Sequence, residues 1–332
     1  MSTAASPSVL SPAARSRIRS GQRRKQLDRI GDRTLFGICL FAAVLCVVTI
    51  VLIGYQVVDG ASPAISRYGL GFLTDTTWQP NFGQFGAGSL IFGTAVSSAF
   101  ALLLGAPIAI SIGLYLSLLA PNGVRGIVAP LVEMLAAIPS VILGFWGVLV
   151  LAPFVQGTLE PWLHGKLGFI PIFGAPETTG ASIFTASLIL TIMVVPIIAS
   201  ISRDLFLAVP HDVQDGASAL GATRWEVVRG VVLPSTAPGV VAASLLGLGR
   251  ALGEAIAVAQ VIGAGSEIQA SLFKTGDTLA ARIANQFPGA LTEMHKSSLF
   301  YLGVILLVIG LASNLIAHWI GRRFSYDAGV VR

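Results

Sequence analysis

The chain has 332 residues, 54% of them hydrophobic and only 11% charged, where a soluble domain carries about a quarter charged residues. That composition excludes an ordinary soluble enzyme and points to an all-α polytopic membrane protein. The formal charge of +5 rests on 21 Lys and Arg against 16 Asp and Glu, and where those bases fall decides what it means.

Apolar runs of about 20 residues, the length that crosses a hydrocarbon core of about 30 Å, lie at Leu35 to Val58, Leu90 to Leu119, Gly126 to Val155, Ala181 to Ile201, Pro238 to Gly263 and Leu299 to Ile320. They predict one six-helix domain over 34–323, between tails at 1–33 and 324–332. The first tail is too long and polar for the start of a signal peptide, so the first run reads as an uncleaved span. Cys39 and Cys46 are seven residues apart on that span, about 10 Å on a helix, which is beyond disulfide reach. They read as small core residues.

About fifteen of the 21 bases fall on one side of this topology, among them Arg15, Arg17, Arg19, Arg23, Arg24, Lys25, Arg29 and Arg33. The other side holds Arg67, Lys166, Lys274, Arg282 and Lys296. Cytoplasmic loops retain Lys and Arg, so both termini are expected in the cytoplasm of a multi-pass inner-membrane protein. The basic tail then reads as a segment near anionic lipid headgroups, and not as a nucleic-acid arm.

In chain order, residues 59–89 form an external loop rich in Gly, Pro and aromatics, with Trp78 and Tyr68 as interfacial anchors. The third span carries Glu133 and then "AAIPSVILGFWG", where Pro139 removes a backbone hydrogen bond and kinks the helix. Glu133 either snorkels to the headgroups or pairs with an arginine on a bound partner, and both readings stay open. Residues 203–237 form the longest cytoplasmic connection. Pro210 suits a first turn, His211 to Leu220 a short helix, and Gly221 the left-handed residue that ends it. Thr223 and Glu226 have capping-box spacing for a second short helix, bounded by Pro234 and Pro238. The last external loop, 264–298, contains "DTLAARIANQF", a short amphipathic helix starting near Asp277.

The fifth span holds "GLGRALGEAIAV", residues 247–258, with two full charges in an apolar run. Arg250 lies about 18 Å beyond Pro238 on a helix, close to the midplane, where an arginine costs roughly 2.5–3.5 kcal/mol on insertion scales. Glu254, one turn on, offers an intrahelical ion pair. Gly249 and Gly253 form a small-xxx-small pair suited to helix approach. The functional alternative is that an anion crosses here, bound by the donor fork of Arg250, with Glu254 orienting that side chain and weakening its hold. His164, His211, His295 and His318 show no metal-ligand spacing, no cofactor is implied, and the chain has no G-x-x-x-x-G-K-[ST] loop with which to hydrolyse ATP.

Asp215, Gly216, Ala217, Gly221, Val231, Leu233 and Pro234 fall at the spacing E-A-A-x3-G-x9-I-x-L-P and resemble the coupling loop of ABC importer permeases, with Asp in place of Glu and Gly in place of the first Ala. "WQPNFGQFGAGSLIFGT", "EMLAAIPSVILGFWG", "LGLGRALGEAIAV" and "TLAARIANQF" look like the C-subunit family of the phosphate-specific ABC importers, and together with the loop they cover most of the chain from about Phe72 to Phe287. The sister A subunit has a related "RALGE" segment with a different continuation. The resemblance implies a type I permease fold, a coupling loop that docks on a dimeric ATP-binding subunit, a second six-helix permease and a periplasmic or lipid-anchored phosphate-binding protein. Arg250 and Glu254 would then lie on the substrate path, with Glu133 and Pro139 on the path or against a partner. Other readings are the sister A-type subunit, a permease for sulfate or molybdate, a passive channel, which needs no docking loop, or a membrane enzyme, which needs clustered acid, base or metal ligands.

Overall fold

The computed structural model describes the backbone of residues 12–324 and the side chains of residues 31–320. Of the tails expected at 1–33 and 324–332, residues 1–11 and 325–332 lie outside the described backbone, and from Pro12 the first tail is helical and continuous with the first span. The chain divides into two compact units, residues 1–56 and 57–332, and a helix α1 (Pro12–Tyr68) begins in the first and ends in the second. In the first unit its apolar side chains from Leu35 onward are exposed, as suits a helix solvated by lipid. Cys39 and Cys46 are exposed as well, which corrects the expectation of core positions: a lone helix has nothing within its unit to bury them against.

The second unit holds α2 (Gly88–Leu119), α3 (Asn122–Ala136), α4 (Ser140–Leu167), α5 (Ile183–Leu207), α6 (His211–Ala219), α7 (Arg224–Leu252), α8 (Ile256–Val261), α9 (Leu279–Gln286) and α10 (Glu293–Phe324). Among the described residues six helices are long and apolar enough to cross a membrane. Among them α5 is the centre of the bundle: 72% of its most apolar window is buried, against 22% for α4 and 28% for α2, α7 and α10. Small residues one turn apart explain how it is reached. Ala101, Gly105, Ala109 and Gly113 line one face of α2, with Gly105 against Val194 and Gly113 against Ala199 and Ser202 of α5. Without a hydrophobic drive between helices in lipid, such close backbone approach supplies the packing.

The first backbone N–H groups of α5 have no partner within their own helix. Ser182 N–H donates to Val261 O at 3.1 Å, Ile183 to Lys274 O at 3.1 Å and Phe184 to Leu272 O at 2.8 Å, while Ser182 Oγ accepts from Thr185 N–H. The 264–276 segment is thereby fastened over the start of α5, and Lys274 Nζ holds Glu177 Oε1 at 2.8 Å beside it.

Two expectations for the 59–89 segment are corrected. Its first residues stay helical through Pro63, because Ala61 and Ala64 are buried in tertiary contact and Ala64 N–H finds Ser297 Oγ at 2.9 Å. Trp78 is a core residue and not an interfacial anchor. It lies on strand β1 (Trp78–Gln79), paired antiparallel with β2 (Gln84–Phe85), and its Nε1 donates to Gln286 Oε1 at 2.8 Å. Half-buried Tyr68 donates to Gly83 O at 2.8 Å. The amphipathic helix expected near Asp277 is α9, capped by Thr278, whose Oγ1 accepts from Ala281 N–H. Asp277 instead forms a buried ion pair with Arg282, Oδ2 to Nε 2.6 Å. Burial pushes the Asp277 carboxyl up, and the Arg282 guanidinium and the Thr278 N–H oppose that shift.

The carbonyl of Asp277 occupies the space where Gly93 of α2 would carry a Cβ. Gly93→Ala is expected to lower stability by about 1–3 kcal/mol, an overpacking cost against backbone that cannot yield. Gly126→Ala on α3, where a Cβ meets nothing within 4 Å, should change it by no more than about 0.5 kcal/mol. Thermal unfolding of the two variants in detergent checks the contrast.

Candidate functional site

The fifth crossing is not one helix. A capping box opens α7: Thr223 Oγ1 accepts from Glu226 N–H at 3.4 Å and Thr223 N–H donates to Glu226 Oε2 at 2.7 Å. This helix does not stop at Pro234 and Pro238 as the sequence suggests. A π turn at Val228–Val232 lets Leu233 N–H donate to Val228 O, five residues back, and the prolines follow without breaking the helix. The helix ends instead at Leu252. Residues 253–255 are irregular, and α8 starts at Ile256.

Gly239 abuts Leu205 and Gly247 abuts Ile198 and Val194, so α7 runs antiparallel to α5. Arg250, about 4.5 Å further along, is level with the middle of α5. Its side chain is 47% exposed, while that of Glu254 is 7% exposed. Their closest approach, Nη2 to Oε2, is 3.7 Å. The pair expected within one helix therefore spans a helix break, and Glu254 has a second duty: its Oε1 accepts the N–H of Ala257 at 3.2 Å, filling the N-terminal role at α8 that Asp and Glu serve well. Gly249 and Gly253, the small-xxx-small pair, have open space beside them: among the described residues a Cβ at Gly249 meets nothing within 4 Å, and one at Gly253 meets only Gly249 O at 3.6 Å. Leu246, Arg250 and Gly253 form an exposed stripe past the half-exposed Gly249.

The third crossing is broken as well. Helix α3 ends at Ala136 and α4 begins at Ser140 with Pro139 as its extended N-cap residue, so Pro139 marks a break in place of a kink. Glu133 lies elsewhere. Its Oε1 takes Arg203 Nη1 of α5 at 2.9 Å, and Arg203 also reaches Asp204 at 3.1 Å. The arginine that Glu133 meets is thus in the same chain, near the far end of α5 and about 12 Å along the helix from the level of Arg250. The structure thus groups Arg250 with Glu254 and leaves Glu133 apart from them.

The 208–233 connection is a compact knob. Helix α6 ends in a Schellman arrangement: Ala222 N–H donates to Ala217 O at 3.2 Å and Gly221 N–H to Ser218 O at 3.0 Å, with Gly221 at φ +90. Pro210 is the residue before the helix and not its first turn. Ala217, Ala222 and Leu233 pack on Phe206, Val209, Val227 and Val232, which joins the knob to the ends of α5 and α7. Asp215, Gly216, Leu220 and Trp225 face outward, and Pro234 continues into α7.

Among the described residues no group of His, Cys, Asp and Glu could hold a metal ion. His164 Nδ1 lies 2.9 Å from Phe173 O and His295 Nε2 lies 3.1 Å from Gln286 Oε1. Glu160 escapes a reading by motif, yet its side chain is fully buried and accepts from Ser182 Oγ at 3.1 Å. The one signal for it in the sequence is a carboxylate at the tail of an apolar run. For Glu254, removal of the carboxyl by Glu254→Ala is expected to cost about 1 kcal/mol through loss of the cap. Glu254→Gln should cost less, because an amide oxygen still accepts from Ala257. Thermal stability of both variants distinguishes the cap from the charge.

Residues 105–326 match the family described as binding-protein-dependent transport system inner membrane component. The chain is similar to phosphate transport system permease proteins of Mesorhizobium japonicum, 40% identical over 87% of this chain and 89% of that one, and of Haemophilus influenzae, 42% identical over 80% and 85%. A third, from Mycobacterium tuberculosis, is 36% identical over 86% and 91%. In fold it is similar to a bacterial alginate ABC transporter, TM-score 0.56 at 21% identity over 86% of this chain and 94% of that one. It is also similar to an inward-facing methionine ABC transporter, TM-score 0.52 at 20% identity over 71% and 95%. A six-span bundle with a knobbed connection and matches of this extent have one meaning: the chain belongs to the binding-protein-dependent transport system inner membrane component family, in its phosphate transport system permease branch.

Proposed function

We propose that this multi-pass membrane protein forms one wall of an alternating-access path for inorganic phosphate, and that Arg250 meets the anion. The observation that carries this reading is a half-exposed guanidinium level with the middle of α5, on a stripe beside which the described residues of the 57–332 unit leave open space. An arginine at that depth costs roughly 2.5–3.5 kcal/mol to insert, and a transient phosphate partner gives a reason for it. Its planar donor fork matches phosphate oxygens. Glu254 leaves one carboxylate oxygen at 3.7 Å from the guanidinium, enough to orient it and moderate its hold without closing the site. The carboxylate therefore serves beside an anion path because α8 needs it as a cap.

A second permease subunit would cover the exposed stripe and complete the path. The knob of α6 and the start of α7, apolar and protruding at Leu220 and Trp225, would dock on a dimeric ATP-binding subunit, since the chain has no phosphate loop of its own. A phosphate-binding protein would deliver substrate at the opposite face. The excess of Lys and Arg places the knob and both termini in the cytoplasm.

Arg250→Gln should abolish phosphate uptake in reconstituted vesicles while co-purification with the ATPase persists; wild-type uptake would return Arg250 to a structural role. Exchange of Arg250 and Glu254 keeps both charges and should still lose transport, and recovered activity would favour the ion pair as the reason for both residues. Gly221→Val forces a branched side chain into φ +90 and should leave ATP hydrolysis running without uptake. Unchanged coupling ratios would count against the docking knob.

A further inference from the structure

The geometry points to Gly144 as a positioning residue for the Arg250–Glu254 pair, acting through the backbone of α8. This rests on the reading of Arg250 as a path residue and adds what sets its partner in place. The two broken crossings meet. Gly144 of α4 lies against Ala257 and Gln260 of α8, and Gly147, one turn on, lies against Val261. The two half-helices are therefore parallel and in register, so the break at 137–139 is level with the break at 253–255.

The contact at Gly144 is tight enough that a side chain there would force its neighbours to shift. A Cβ there would be 3.0 Å from Ala257 Cα, 2.7 Å from Gln260 Oε1 and 2.9 Å from Gln260 Cδ. Ala257 is also the residue whose N–H holds Glu254 Oε1 at 3.2 Å. A short physical chain results: the bare face of Gly144 fixes how near Ala257 comes, Ala257 N–H fixes the carboxylate, and the carboxylate faces Arg250 at 3.7 Å. The Ala257 N–H to Glu254 distance already lies at the long end of the 2.7–3.2 Å range of N–H···O hydrogen bonds. A displacement of α8 by a few tenths of an ångström is enough to free Glu254 from its donor. Gln260 supports the assignment from the other side. Its Oε1 is buried without a hydrogen-bond partner, so the amide is held there by packing against Gly144.

Phosphate uptake by the assembled importer tests the chain of contacts. Gly144→Ala is expected to reduce uptake by about tenfold or more, as misplacement of a working group does. It should still co-purify with the ATPase, because its nearest obstacle is the flexible end of Gln260. Gln260→Ala loses no hydrogen bond by Oε1 and should transport within about twofold of wild type. Combined with Gly144→Ala it removes the obstruction at 2.7 and 2.9 Å but keeps the contact with Ala257 Cα, so most of the loss should persist. Gly147→Ala is the milder comparison: the atoms nearest its Cβ belong to the side chains of Ile189 and Val261 and not to the α8 backbone, so it should lose less uptake. If Gly147→Ala loses as much uptake as Gly144→Ala, if the double variant recovers wild-type uptake, or if neither Gly144 variant assembles, the proposal is overturned. Failure of the path reading shows separately, as wild-type uptake in Arg250→Gln.

Discussion

One carboxylate organises the middle of this protein. The fifth crossing stops at Leu252 and restarts at Ile256, which leaves backbone N–H groups of α8 without helical partners where water is scarce. Glu254 supplies an acceptor to Ala257 with one oxygen and faces Arg250 with the other. Without that double engagement a break at this level would expose uncompensated polar groups, and Arg250 would have no fixed partner of opposite charge. The break and the charges therefore explain each other.

Around that point the bundle is built for close approach. Glycines and alanines bring α2 to α5, and the start of α5 takes carbonyls from 261, 272 and 274, so the central helix is held along its length and at its end. The second halves of the third and fifth crossings lie together through Gly144 and Gly147. The first half of the third is tied to α5 by Glu133 and Arg203. Each broken helix thus has one half in contact with its counterpart and one half on the central helix. A change in the angle between the halves can then alter the surroundings of Arg250 while the packing of α5 is kept.

At the knob, a Schellman end and a capping box face each other across Gly221 and Thr223, so two helix termini are satisfied within a few residues. The π turn that follows carries the second helix into the bundle without interruption. One continuous helix therefore runs from the knob as far as Arg250. A loop ending at Pro234 would have separated the knob from the span.

The sequence by itself determined the six crossings, the all-α class, the left-handed Gly221, the capping box at Thr223 and the pairing of Arg250 with Glu254, because each follows from local composition or from spacing along one chain. It also contained the family motifs. Only the tertiary structure decided that Pro234 continues a helix while Gly253 ends one, that Pro63 stays helical, that Trp78 is core, that Glu133 belongs to Arg203, and that Gly249 has no neighbour within 4 Å among the described residues. Those outcomes depend on which distant atoms satisfy a freed N–H or fill the space beside a missing Cβ, as Ser297 does for Ala64 and Ala257 for Gly144. Spacing along the chain is blind to such partners, since they come from segments far away in sequence.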